Sequence, residues 1–221
     1  MTERNRERLW APIDGIYRQI CEHPFVTELT KGTLGRNQFR HYLVQDGHYL
    51  RGYARALAAC ASKAPIASEL TMFTEHAGVA ITAEADLHAG LLADLGLGAE
   101  AAAALPIAPT TQAYTSYLLA VTAYGSYAEA VAAVLPCYWV YARVGEHLQR
   151  HGSPEPLFQR WIDTYAGQQY QAVVEAVLTV ADRMATHRGA EWESMRRHLH
   201  TAARYEWMFF DAAYRMEDWP V

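Results

Sequence analysis

The sequence predicts an all-α fold, and three observations carry that reading. Apolar residues recur at three- and four-residue spacing over long stretches, as from Arg36 to Ala64, which is the period of a single buried helix face. That stretch holds neither a Gly-Pro or Asn-Gly turn nor the alternating β-branched residues of a strand. The same holds along almost the whole chain, with Gly and Pro standing between the periodic stretches, where helices end.

In chain order the spacing places seven helices at about residues 3–21, 36–63, 66–95, 110–124, 127–151, 154–185 and 189–216. Gly96 and Gly152 stand where a left-handed residue would close a helix. Thr110 or Thr111 can cap the fourth helix, and Ser153 followed by Pro154 reads as a cap and a first helical position. The stretch from Ala99 to Pro109 is Ala-rich and fits a short helix or an ordered loop. No shift in composition marks a linker, so residues 1–221 are expected to form one domain.

Composition narrows the function. The 221 residues are 51% hydrophobic and 12% aromatic, with 14 Tyr and 6 Trp, which is enough to build and line an interior. The net charge is −5 and the Arg residues are scattered, so nothing follows a phosphate backbone and nucleic acid is not an expected partner. The polar start from Met1 to Arg8 has no apolar segment behind it, and no run reaches the ~18 apolar residues of a membrane span. A cytoplasmic location without membrane attachment is expected. Cys21, Cys60 and Cys137 are too widely spaced for a disulfide framework or a zinc site.

Three carboxylates fall on faces that should be buried. Asp46 lies in the stripe Phe39, Tyr42, Asp46, Tyr49, Tyr53; Glu206 lies in Leu199, Ala203, Glu206, Phe210, Ala213; Glu84 lies among Phe73, Ala77, Ile81, His88 and Leu91. Each can be a structural acid that accepts Tyr hydroxyls or pairs with His or Arg. Two acids facing one aromatic interior can instead bind a flat, nitrogen-rich ring and shift each other's titration. Cys137 follows Pro136 inside a helical stretch, where the missing N–H should kink the helix beside the thiol. It is either an inert packed thiol or a nucleophile.

Several ordered motifs then resemble one family. They are His23-Pro24-Phe25-Val26, Tyr42-Leu43-Val44-Gln45-Asp46 with Tyr49-Leu50, and Tyr114-Thr115-Ser116. Leu135-Pro136-Cys137-Tyr138-Trp139-Val140-Tyr141 with Gly145, Trp161-Ile162-Asp163-Thr164-Tyr165 and Tyr205-Glu206 complete the series. The chain resembles the TenA family of thiaminase II, or aminopyrimidine aminohydrolases, in its Cys-containing branch. The resemblance implies a haem-oxygenase-like helical bundle and hydrolysis of 4-amino-5-aminomethyl-2-methylpyrimidine, and of thiamin, in thiamin salvage. It implies Cys137 as the nucleophile that adds to the pyrimidine ring. Asp46 would hold and activate the aminopyrimidine edge, and Glu206 would shuttle protons. Tyr49, Tyr114, Tyr141 and Tyr165 would line the pocket. A homotetramer is implied; no cofactor and no metal are. The Gly47-His48 pair departs from the bulkier residues of relatives and bears on pocket shape.

Rival readings rest on other residues. Glu84-x-x-x-His88 has the one-turn spacing of two metal ligands, which would suit a di-iron oxidase, but no His accompanies Glu206 and Asp211 on the last helix. His23, His41 and His48 are haem-ligand candidates by type only. A cofactor-free ring oxidase would want His and Arg where this chain has Tyr, Asp and Glu. A non-enzymatic regulator would make the interior acids structural and Cys137 dispensable.

Overall fold

The computed structural model describes residues 2–186 and 190–221, with side chains outside residues 2–4, 83–88 and 190. Among the described residues there are ten helices and no strand: α1 (Thr2–Cys21), α2 (Pro24–Lys31), α3 (Arg36–Lys63), α4 (Ala67–Asp94), α5 (Ala99–Ala104), α6 (Pro109–Tyr124), α7 (Tyr127–Gln149), α8 (Pro156–Ala166), α9 (Gln168–Ala185) and α10 (Ala190–Arg215).

Ten rather than seven helices result from local chemistry that apolar spacing does not register. The additional α2 begins where the His23 ring nitrogen Nδ1 accepts the Phe25 N–H at 3.1 Å and Pro24 takes the first helical position. It ends at Gly32, whose φ of 71° suits glycine, and a Cβ there would also come within 2.8 Å of Pro154. The Ala-rich stretch forms the short α5. The long helix expected at 154–185 is two, broken at Gly167, whose φ and ψ of −66° and 146° leave helical space.

Two caps differ from expectation. Helix α6 starts one residue after Ala108, with Pro109 first, so Thr110 and Thr111 are buried within the helix rather than capping it. Helix α8 starts after Glu155 with Pro156 first. Ser153 instead ties the preceding loop to α2 by donating to the Leu29 carbonyl at 2.7 Å. Gly96 and Gly152 do take the left-handed conformation, with φ of 75° and 63°.

The centre of the bundle is α7. Every residue from Ala130 to Ala142 is buried except Cys137, which is half-buried. Helix α10 lies along α7, α3 packs on α4, α6, α7 and α10, and α8 and α9 cover the other flank of α7. The stripes Phe39–Tyr53 and Leu199–Ala213 are both buried, so α3 and α10 turn their acids inward. On α4, Phe73 and Leu91 are buried but Ile81 is 56% exposed, so the face read through Glu84 is not continuous. Glu84 and His88 themselves lie outside the described side chains. No described helix is long and apolar enough to cross a membrane.

Candidate active site

The interior between α3, α6, α7, α8 and α10 is walled by aromatic rings. Tyr49 of α3 stacks on Tyr114 of α6, with centroids 4.9 Å apart, and leans on Phe209 of α10 at 5.7 Å. Phe209 also meets Tyr42 edge to face at 5.7 Å. Tyr42 shares a hydrogen bond of 3.1 Å with the Tyr141 hydroxyl from α7. Tyr141 packs on Tyr165 of α8 at 5.1 Å, and Trp161 lies 5.0 Å from Tyr165. One continuous set of ring contacts therefore joins all four tyrosines expected in the pocket. Each such contact contributes about 0.5–1.5 kcal/mol beyond its buried area, enough to hold the wall in one shape.

Both acids face this wall. Glu206 is 1% exposed and its Oε1 accepts the Tyr114 hydroxyl at 2.6 Å. Burial pushes its carboxyl up to about 8; the Tyr114 bond opposes that shift, and the nearby charge of Asp46 adds to it. Glu206 is thus a protonated acid near neutral pH. Asp46 is 3% exposed, one helical turn before Tyr49. Its charge acts on Tyr42 and Tyr141 as well as on Glu206, which places the two carboxyl groups around the same rings.

Electrostatics also place Cys137. Burial pushes the hydroxyls of Tyr49, Tyr53, Tyr114 and Tyr141 far above the usual phenol range, and a charge on Cys137 pushes all four further. Tyr49, Tyr114 and Tyr141 respond to both Cys137 and Glu206. The thiol and the acid therefore share one low-dielectric neighbourhood. Cys60 is different: it is fully buried and burial pushes its thiol up to about 12, so it stays protonated. A hollow of about 550 Å³ reaches Tyr138, the residue after Cys137, and is walled by Tyr53, His76, Tyr138, Tyr165 and Tyr170.

The structure thus brings together Cys137, Asp46, Glu206, Tyr49, Tyr114, Tyr141 and Tyr165. Phe209, Tyr42 and Trp161 belong to the same wall and were not among the expected pocket residues. Tyr42 and Phe210 stood in the apolar stripes, but Phe209 is the neighbour that bridges Tyr42 and Tyr49. The Gly47-His48 pair lies away from this interior. A Cβ on Gly47 would meet open space, His48 bonds the Leu105 carbonyl at 2.9 Å, and both line an outer hollow with Leu43 and Leu50. Among the described residues no group of three His, Cys, Asp or Glu side chains is placed to hold a metal ion.

The helical bundle, with a half-buried thiol and two buried acids against an aromatic wall, has the haem-oxygenase-like fold. A domain from Shewanella denitrificans OS217 described as having a heme oxygenase-like fold superposes with a TM-score of 0.74, covering 95% of this chain and 91% of that one, at 15% identity. The chain belongs to the TENA/THI-4/PQQC family, whose model matches residues 10–216. It is 33% identical over 198 residues to the aminopyrimidine aminohydrolase of Bacillus subtilis strain 168, covering 89% of this chain and 84% of that protein. It is 39% identical over 211 residues to the thiamine biosynthesis multifunctional protein ThiED of Corynebacterium efficiens; 94% of this chain is covered, but the match spans only 28% of that relative. The TenA homologue of P. horikoshii OT3 superposes with a TM-score of 0.88 at 30% identity, covering 96% of this chain and 98% of that one.

Proposed function

We propose that this chain is an aminopyrimidine aminohydrolase, a thiaminase II, that uses Cys137 as its nucleophile and releases the amine from 4-amino-5-aminomethyl-2-methylpyrimidine in thiamin salvage. The observation that carries the reading is Glu206, a buried acid held protonated near neutral pH against Tyr141, a ring that also feels the charges of Asp46 and Cys137. The named activity of the Bacillus subtilis relative supports it.

The chemistry follows from what each group can do. Asp46 accepts from the amino group and a protonated ring nitrogen of the pyrimidine, which draws electron density from the ring. The Cys137 thiolate forms a bond to a ring carbon, and the ring loses its aromaticity. Glu206 gives its proton to the methylene amine, the C–N bond breaks with its electron pair leaving on ammonia, and the ring takes up an exocyclic double bond. Water adds to that methylene carbon and returns a proton to Glu206. Loss of the thiolate restores the ring as the hydroxymethylpyrimidine. Water in and ammonia out balance the reaction. With thiamin, the thiazole would leave in place of ammonia.

The tyrosine wall does the positioning. Tyr49, Tyr114, Tyr141 and Tyr165 offer ring faces to a planar heterocycle, and burial keeps the hydroxyls of Tyr49, Tyr114 and Tyr141 protonated, hence able to donate. We further place residues 1–221 as one domain in a cytoplasmic homotetramer; the exposed Ile66, Leu70, Val79 and Ile81 on and beside α4 support an apolar contact between copies. Light scattering on the purified protein reads the assembly. A competition assay between the aminomethylpyrimidine and thiamin tests the substrate assignment. Preferential release of ammonia supports salvage; preferential cleavage of thiamin overturns it.

A further inference from the structure

The helix turn that carries Cys137 is held from two sides by tyrosine hydroxyls. Tyr53 of α3 donates to the Val134 carbonyl at 2.9 Å. Tyr170 of α9 donates to the Cys137 carbonyl at 3.0 Å and reaches the Tyr138 carbonyl at 3.4 Å. These carbonyls lie on the turns before and after Pro136. Because Pro136 has no N–H to offer the Ala132 carbonyl, α7 lacks one rung of its hydrogen-bond ladder at this point. A helix missing a rung bends more easily there, and added donors on neighbouring carbonyls decide which way. Tyr53 is buried and Tyr170 is half-buried, and both wall the hollow that reaches Tyr138.

We propose that Tyr53 and Tyr170 are positioning residues that clamp the Pro136 turn and so fix the direction in which the Cys137 thiol points. Through these bonds both act on the backbone of α7. The clamp rests on the nucleophile assignment above for its consequence in catalysis, but the thiol's own reactivity reports on it independently of any substrate.

The test uses the full chain and its Tyr53→Phe and Tyr170→Phe variants. The first readout is the rate of Cys137 alkylation by iodoacetamide as a function of pH, followed by peptide mass mapping, with half-buried Cys21 as the internal control. The second is kcat and KM on the aminomethylpyrimidine. Loss of either hydroxyl is expected to change the Cys137 alkylation profile while leaving that of Cys21 unchanged. It should lower kcat by about tenfold with KM within about twofold, because a displaced nucleophile costs rate rather than affinity. The double variant should lose less than the product of the single losses, since both act on one turn. Wild-type profiles at Cys137 in both single variants overturn the proposal, as does parallel change at Cys21 and Cys137, which would mean general loosening. If one variant fails to fold, the other carries the test. If the wild type turns over no aminopyrimidine while the Cys137 profile still shifts, the substrate assignment fails and the clamp stands.

Discussion

The Tyr114 hydroxyl donates to Glu206 Oε1 across 2.6 Å between two buried side chains, joining α6 to the buried face of α10. The bond draws the Glu206 pKa downward, against burial and the charge of Asp46. Two consequences of this pair can be measured.

Glu206 acts as an acid only while protonated, so kcat should fall as pH rises through about 8. Glu206→Gln should remove that alkaline limb and lower kcat by roughly 10²–10⁴-fold. Its effect on stability has the opposite sign. The folded-state pKa is raised, so stability is fully present below the unfolded value and drains away as pH climbs toward about 8. The Gln variant does not ionise, so its Tm relative to wild type should climb between pH 5 and 8. Thermal unfolding across that range reads it.

Tyr114→Phe removes the hydroxyl that opposes the upward shift of Glu206. The alkaline limb should move to higher pH, and stability should fall by about 1–3 kcal/mol because a buried carboxyl oxygen loses its donor. A pH–rate profile together with urea unfolding checks both.

Gly145 lets α7 and α8 meet backbone to backbone: a Cβ there would come within 2.7 Å of both the Tyr165 carbonyl carbon and oxygen. Gly145→Ala must push the C-terminal end of α8 away, and with it Tyr165. A loss of about 1–3 kcal/mol is expected from overpacking, with KM raised because Tyr165 walls the pocket. Calorimetry and steady-state kinetics separate the two effects.

Pro136 costs α7 a backbone bond in exchange for the shape of the Cys137 turn. Pro136→Ala should leave Tm at or above the wild-type value, since proline disfavours a helix interior by roughly 3 kcal/mol, while kcat falls. A Tm scan alongside an activity assay tests the trade; a variant as active as wild type would separate the proline from the site.

The parts legible in the sequence were those that depend on spacing along one helix. Asp46 and Glu206 could be placed in apolar stripes because α3 and α10 are regular over many turns, and burial of Phe39 to Tyr53 and of Leu199 to Ala213 follows from period alone. The family motifs then pointed to Cys137 and the four pocket tyrosines. What crosses between helices was not legible. Nothing in α10 alone singles out Phe209, whose partners Tyr42 and Tyr49 lie more than 150 residues away, and nothing in α9 predicts that Tyr170 reaches the Cys137 carbonyl. Breaks without left-handed glycine were also missed: Gly167 splits α8 from α9 in ordinary extended conformation, which leaves no mark on the apolar pattern. Thr110 and Thr111 look like caps by type, yet Pro109 starts the helix one residue earlier and buries them.

The central claim is that Cys137 is the nucleophile of an aminopyrimidine hydrolase, and one comparison tests it most directly. Wild type and Cys137→Ser are incubated with 4-amino-5-aminomethyl-2-methylpyrimidine near neutral pH, and ammonia and hydroxymethylpyrimidine are measured together. The account predicts that wild type releases the two in equal amounts and that Cys137→Ser, folded to the same Tm, is slower by about 10³-fold or more. A Cys137→Ser variant that turns over at the wild-type rate, or a wild type that releases neither product, would contradict it.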